Sequence, residues 1–327
     1  MAWDCTCRHN RSYHPRTWDK FRGTWDTRCT HTEYGRTGRD RCPCNAFTEQ
    51  DTPMSLEILP NLIQGTDEWI KQRRGMVTAS VVDALIATRR LGAIDYDCPS
   101  CGAAADNPCI GKRSPAPIKT LHPERAEYAR TQNSAIVIEP ASNDTSRNLT
   151  ASLVAERITG FTEPIYINDD MQRGIDDEPI ARAKYAEHYA PVAEVGLMVR
   201  DDWGFRIGYS PDGLVGDDGL IEIKSRRQKA QVQTIVAGVV PAENMAQIQC
   251  GLLVSGRKWL DYISWAGGLP MYVKRVYPDP RWQDAIVKAV RAFEDNAAEM
   301  MRIYDESIVG LHPTERIEII DLIGMGA

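Results

Sequence analysis

Ser210-Pro211-Asp212-Gly213-Leu214, the turn Gly216-Asp217-Asp218-Gly219 and the run Ile221-Glu222-Ile223-Lys224 decide how this chain folds. Side chains alternate faces along a strand, so Glu222 and Lys224 project together while Ile221 and Ile223 face the other way. The turn at 216–219 folds the chain back and lets Asp212 lie beside Glu222, and Pro211 and Gly213 fix a bend that holds the Asp212 carboxylate at the strand end. Two carboxylates and a lysine converging at a sheet end suit phosphodiester hydrolysis. The carboxylates can hold Mg2+, which takes oxygen ligands and binds phosphate, acidifies water and neutralises charge in the transition state. Lys224 can orient the attacking water or stabilise charge. The same spacing also fits a solvated hairpin whose Asp, Glu and Lys form surface ion pairs.

Outward from this stretch, Val195–Val199, Phe205–Tyr209, Leu220–Lys224, Asp261–Trp265 and Met271–Val276 are short, rich in β-formers, and read as strands. Helices are expected at about Thr66–Arg74 and Ala79–Ala87. Another carries Leu149, Leu153, Val154 and Ile158 and is closed by Gly160, and one covers Asp176–Tyr189 with Ile180, Ala181, Tyr185 and Ala186 as its apolar face. Pro241 opens a helix to about Val254 with Met245, Ile248 and Leu252 as its buried stripe, and a long helix covers Pro280–Asp305. Helices before and after a mixed sheet predict an α/β (α+β) fold, a central mixed β-sheet flanked by helices.

Composition sets looser bounds. The 327 residues are 43% hydrophobic and 26% charged, enough for a sizeable core, and the net charge of −6 neither advertises nor excludes a nucleic-acid partner. No window approaches 18 uninterrupted apolar residues and the N-terminus has no signal-peptide core, so no membrane partner and a cytoplasmic protein are expected.

Two segments stand apart. Residues 1–53 contain no Leu, Ile or Val. They read as a disordered tail, as a metal knuckle using Cys5, Cys7, Cys29, Cys42, Cys44 and His9 or His31, or as non-native sequence upstream of a start at Met54. Residues 92–137 interrupt the globular pattern with Pro, Gly and Cys. There Cys98-Pro-Ser-Cys101-Gly begins a knuckle, with Cys109 and His122 as third and fourth ligands of a closed tetrahedral site for structural Zn2+. Free loop cysteines are the plain alternative, and an iron–sulfur cluster would need a fourth cysteine, for which Cys250 is a poor candidate. Lys112, Arg113, Lys119 and Arg125 are candidate DNA contacts of this insert. The insert resembles Cys-Pro-x-Cys-Gly…Cys…His modules of actinobacterial phage proteins.

Six motifs in order carry a wider resemblance. They are Gly65-Thr66-Asp67-Glu68-Trp69, Arg73-Arg74-Gly75-Met76-Val77-Thr78-Ala79-Ser80, Gly174 with Glu178-Pro179-Ile180-Ala181-Arg182, Ser210-Pro211-Asp212-Gly213, Glu222-Ile223-Lys224 and Met245-Ala246-Gln247-Ile248-Gln249. Across residues 54–300 the chain thereby resembles the lambda exonuclease and YqaJ-type viral recombinase family of PD-(D/E)xK nucleases. The domain so implied is 54–310, followed by a C-terminal tail at 311–327. The resemblance implies that Asp212, Glu222 and the Ile223 carbonyl hold metal, that Lys224 is the catalytic lysine, and that Glu178 serves a second metal or its waters, with Arg182 one turn on. Gln247 and Gln249 diverge on a helix, and the resemblance implies that Gln247 is the active-site member, which leaves Gln249 a structural role.

The Arg73–Ser80 segment resembles the family's pocket for a 5′-terminal phosphate. Arg73 would clamp the phosphate, and Thr78 and Ser80 would offer hydroxyls at a helix start whose free amides favour an anion. The plain alternative for Ser80 is an ordinary N-terminal helix residue, and Trp69 reads as core packing. The run Lys224, Arg226, Arg227, Lys229, together with Arg182, either tracks the DNA backbone or forms a solvated face. The implied activity is a 5′→3′ double-strand DNA exonuclease with two Mg2+ per site (Mn2+ substituting), acting on free ends to leave 3′ single strands. A trimeric ring and a phage single-strand annealing partner, in the host cytoplasm, belong to the same expectation. Two alternatives stay open: an endonuclease or nickase with the same site, and a non-catalytic zinc-bearing DNA-binding protein.

Overall fold

The computed structural model describes residues 56–316, apart from 112–113, 133–135 and 165, together with four short strands nearer the N-terminus. The chain divides into two compact units, 1–55 and 56–327. In the first, β1 (Thr17–Asp19) pairs antiparallel with β2 (Thr24–Asp26), and β3 (Thr32–Gly35) with β4 (Gly38–Arg41). The cysteines and histidines considered for a metal knuckle there lie outside the described residues, as does the tail from residue 317 onward.

In the second unit the order is β5 (Leu56–Leu59), α1 (Asp67–Arg73), β6 (Val77–Thr78), β7 (Ile86–Arg90), α2 (Pro123–Thr131), β8 (Ile136–Pro140), α3 (Asp144–Thr159) and α4 (Asp169–His188). There follow β9 (Leu197–Arg200), β10 (Ile207–Tyr209), β11 (Gly213–Val215), β12 (Gly219–Ser225), α5 (Gln228–Ala237), α6 (Met245–Ser255), β13 (Trp259–Trp265), β14 (Tyr272–Val276) and α7 (Pro280–Ser307). The fold is the mixed α/β architecture expected, with its strands divided between two four-stranded mixed sheets, ordered β5-β9-β10-β6 and β11-β12-β13-β14, and a ribbon β7-β8. The bend Ser210-Pro211-Asp212 carries the chain from β10 of one sheet to β11 of the other. Among the described residues no helix is long and apolar enough to cross a membrane.

β12 is covered on both faces. Leu220 joins the main core with Tyr209, Ile248, Leu252, Leu260, Tyr262 and Phe293, beneath α6 and α7. Ile221 and Ile223 pack on the opposite face with Ala181 and Tyr185 of α4 and Ile263 of β13. Burying each isoleucine stabilises the fold by about 1.5–3 kcal/mol, and a one-residue slip of register would turn both off that face. The strand carrying Glu222 and Lys224 is thus pinned by its neighbours in sequence.

Three expectations are corrected. The helix at Ala79–Ala87 is instead a single 3-10 turn, Val82–Leu85, followed by β7, because Ile86–Arg90 pairs antiparallel with Ile136–Pro140 and closes the ribbon that carries the insert. The helix expected from Asp176 begins at Asp169, where the Asn168 side chain accepts from the Met171 amide at 2.9 Å. Its buried face is Ala181 and Tyr185 alone; Ile180 is 52% exposed and Ala186 is also exposed. Helix α5 and strand β11 had no clear sequence signal.

Candidate active site

Pairing of β12 with β11 stops at Ile221, which frees the edge beyond it. The Ile223 amide points to that edge and donates to Asp212 Oδ2 at 2.5 Å. In an extended strand the N–H and C=O of one residue point the same way, so the Ile223 carbonyl is directed at this edge too. On the adjoining face Glu222 is only 1% exposed. Its Oε1 accepts from Lys224 Nζ at 2.8 Å and Gln247 Nε2 at 2.5 Å, and its Oε2 accepts from the Tyr209 hydroxyl at 3.2 Å. Lys224 Nζ also donates to Gln247 Oε1 at 2.9 Å. Gln249 points elsewhere, bonding Tyr277 O and the Asp279 amide.

Helix α4 brings Glu178 to the same place, ion-paired with Arg182. Arg182 Nε donates to the Asp212 carbonyl at 2.7 Å and its guanidinium also meets Glu194 at 3.1 Å, so this arginine fixes the Asp212 bend and is not free for a DNA backbone. Burial, the charges of Glu222 and Glu178 and too little relief from Lys224 and the Ile223 amide push the Asp212 carboxyl well above its ordinary range. Burial raises Glu178 as well, against the pull of Arg182. Burial alone would lower Lys224, yet the Glu222 and Asp212 carboxylates outweigh it and hold its proton more tightly than usual. A set of oxygen donors with more negative charge than its own cations neutralise fits hard divalent ions such as Mg2+ or Mn2+. Asp212, Glu222, Glu178 and the Ile223 carbonyl are the groups that would hold them.

A cavity of about 520 Å3 joins these residues to Arg73, Thr78 and Ser80. Arg73 donates to Thr78 Oγ1 at 2.9 Å and Ser80 Oγ at 2.7 Å, and its guanidinium lies 3.8 Å from the centre of the Trp69 ring. Burial pushes Arg73 down to about 10, which still leaves it cationic at neutral pH. Trp69 Nε1 in turn donates to Ser210 Oγ at 2.9 Å, beside Asp212. Trp69, set aside in the sequence as packing, is therefore the platform under Arg73. The helix-start argument for Thr78 and Ser80 fails, because Thr78 ends a strand and only one 3-10 turn follows; the anion-seeking group here is Arg73. Tyr209 also went unread, since nothing in Gly208-Tyr209-Ser210 marks a hydroxyl aimed at a carboxylate 13 residues on.

Of the basic run, Arg226 is committed to Asn244, to Tyr262 Oη at 3.1 Å and to Glu243 at 3.6 Å, so it ties the start of α6 to the end of β12 instead of facing solvent. Arg227 is 70% exposed and paired with Asp170. Lys229 opens α5 on an exposed face.

In the insert, Cys98, Cys101, Cys109 and His122 bring one ligand atom each to within 4.8 Å of one another. Cys98 Sγ is 3.5 Å from His122 Nδ1. Sulfurs about 2.3 Å from a tetrahedral zinc stand roughly 3.8 Å apart, so the cluster fits such an ion. The Ile110 amide and neighbouring groups draw the Cys101 thiol down to about 6, favouring the thiolate, while burial raises Cys98. Cys250 lies in the core on α6, where burial pushes it up to about 12, and takes no part. Arg125 is 0% exposed and cannot contact DNA, contrary to expectation. Lys119 is exposed, and Lys112 and Arg113 lie outside the described residues.

Similarity to known proteins falls in both regions of the chain. Residues 130–258 match the YqaJ-like viral recombinase domain. Residues 66–141 match a domain described as "Putative DNA-binding phage zinc finger domain". No curated protein sequence matches. Among solved structures, an alkaline exonuclease (LHK-Exo) from Laribacter hongkongensis is 28% identical, over 76% of this chain and 100% of that one, with a TM-score of 0.53. The same enzyme in complex with dAMP gives 28% identity, the same coverage and a TM-score of 0.54. The D…ExK set at the sheet edge thus sits in a chain that is similar to the YqaJ-like viral recombinase domain over residues 130–258 and to a solved alkaline exonuclease over most of its length.

Proposed function

We propose that this protein is a Mg2+-dependent exonuclease that degrades double-stranded DNA from its ends, 5′→3′, and leaves 3′ single strands. One observation carries the reading: Asp212, Glu222, Glu178, Lys224 and Gln247 line the same cavity as Arg73, Thr78 and Ser80. Two divalent ions held by Asp212, Glu222, the Ile223 carbonyl and Glu178 supply Lewis acidity and neutralise phosphate charge, with Mn2+ able to substitute. Lys224, anchored by Glu222 and Gln247, holds the attacking water beside the scissile phosphate. Arg73, stacked on Trp69, grips the terminal 5′-phosphate by charge-assisted hydrogen bonds, with the Thr78 and Ser80 hydroxyls beside it. Holding the end at a fixed distance from the carboxylates would release one mononucleotide per cut, a product class matched by the dAMP bound to the similar exonuclease.

The Cys/His cluster holds structural Zn2+, since four protein ligands leave no open position. Its module adds a DNA-binding surface beside the nuclease domain. A trimeric ring around duplex, a phage single-strand annealing protein that takes over the 3′ overhang, and work in the host cytoplasm complete the proposal by family resemblance. Linear duplexes with 5′-phosphate or 5′-hydroxyl ends and covalently closed circles test it together. Rapid Mg2+-dependent loss of the phosphorylated duplex, slower loss of the hydroxyl form and an intact circle are expected. Cutting of the circle would replace the exonuclease by an endonuclease or nickase, and no cutting under any divalent metal would leave a binding protein.

A further inference from the structure

Arg125 on α2 is a large, fully buried side chain. All its hydrogen bonds stay inside the insert. Nε donates to Tyr96 O at 2.7 Å, Nη1 to Asn107 O at 2.8 Å, and Nη2 to Ala104 O at 2.8 Å and Ile94 O at 3.1 Å. The remaining contact is from Nη1 to Cys109 Sγ at 3.5 Å. The four carbonyls come from both sides of the Cys98–Cys101 turn, so one planar fork ties together the segments that carry three of the four cluster residues. The fourth, His122, precedes Arg125 by three residues at the start of α2.

A guanidinium cannot shed its proton in a protein, so burying one requires an opposite charge nearby. Four of its five partners are neutral carbonyls, which satisfy donors but not charge. The remaining partner is a cluster sulfur. Three thiolates, a neutral imidazole and one divalent cation sum to a single negative charge, and Arg125 carries a single positive one. We propose that Arg125 is the built-in counter-cation of an anionic Cys3His centre, so that the insert takes up its divalent metal and buries Arg125 as one cooperative event. This rests on the zinc reading of the cluster given above. Cys98, Cys101, Cys109 and His122 take the ion, and Arg125 is a positioning residue that acts through Cys109.

The test uses the full chain loaded with Zn2+. Zinc content per chain is measured first, then the rate at which 4-(2-pyridylazo)resorcinol withdraws the metal, for wild type, Arg125→Met and Arg125→Lys. Loss of such a partner typically lowers metal affinity by about 10–100-fold, so withdrawal from Arg125→Met is expected to be at least tenfold faster. Arg125→Lys keeps the charge but not the fork, and is expected to hold one zinc yet release it at an intermediate rate. The effect of Arg125→Met should shrink in a Cys109→His background, where the centre is already neutral, a coupling that simple loss of packing would not produce. Wild-type release rates in both Arg125 variants, or equal effects in the two backgrounds, would overturn the proposal. If Arg125→Met does not fold, the Arg125→Lys rate decides alone. Wild-type chain that carries no stoichiometric zinc would instead sink the zinc reading itself.

Discussion

The cleft and the cysteine-bearing insert handle charge in opposite ways. In the cleft, Asp212, Glu222 and Glu178 crowd together with only Lys224 and Arg182 as cations beside them, and the carboxyls of Asp212 and Glu178 are driven upward by burial and by repulsion from neighbouring carboxylates. The deficit of positive charge is what lets such a site accept exchangeable cations together with a phosphate, and the cavity leaves room for both. In the insert, by contrast, three thiols and an imidazole close on one another, and a buried arginine stands against them. On the proposed reading, the cleft that turns substrate over is left electrostatically incomplete, and the cluster that holds the insert together is completed from within.

The comparison can be broken most sharply in the cleft. Glu222→Gln or Lys224→Ala should lower the rate of duplex digestion by roughly three orders of magnitude or more, as expected for removing metal-borne stabilisation of the transition state. Both variants should keep one zinc per chain and their helical circular dichroism; loss of zinc would mean that the two regions are not independent. A smaller effect is expected from Arg73→Gln. On 5′-phosphorylated ends KM should rise about tenfold, from the loss of charge-assisted hydrogen bonds, while 5′-hydroxyl ends should be digested as before. An equal loss on both ends would place Arg73 in the frame of the cavity instead of at the phosphate.

Tyr209→Phe removes only the hydroxyl that bonds Glu222 and keeps the ring packed beneath Gly251, where a Cβ would lie 2.7 Å from it. The Mg2+ concentration for half-maximal activity should rise by about tenfold, with the rate at saturating Mg2+ little changed. An unchanged metal requirement would show that the hydroxyl only satisfies burial. The smallest effect concerns pH. Carboxyls with raised folded-state pKa bind more protons in the native chain than in the unfolded one, so they cost the metal-free protein stability as pH rises from the ordinary carboxylate range through their folded values. The thermal midpoint without metal should therefore climb by a few degrees on acidification within that window, and saturating Mg2+ should flatten the dependence. A metal-free midpoint that falls on acidification there would contradict the charge crowding of the cleft.

Much of this was legible in the sequence. The period-2 pattern of Ile221-Glu222-Ile223-Lys224 dictated which side chains share a face, because alternation is a property of the extended backbone. The divergence of Gln247 and Gln249 follows in the same way from helical geometry. The four zinc-type ligands were legible from their spacing and chemistry. Residues 79–90 were not. Their local pattern tolerates a helix, and the strand forms only because Ile136–Pro140, some fifty residues on, supplies its hydrogen-bonding partner.

The arginines show the same divide most plainly. Sequence marked Arg73, Arg125, Arg182, Arg226 and Arg227 alike as cations available to phosphate. Tertiary packing sorted them: Arg73 onto Trp69 in the cavity, Arg125 into the insert, Arg182 onto Asp212, Arg226 onto the start of α6, and only Arg227 left mostly exposed. What the chain by itself determined was the backbone periodicity and the identity of the donor groups, both local properties. Which charges face solvent, and which are spent inside the protein, was decided by contacts between residues far apart in the chain, and burial is a property of the folded whole.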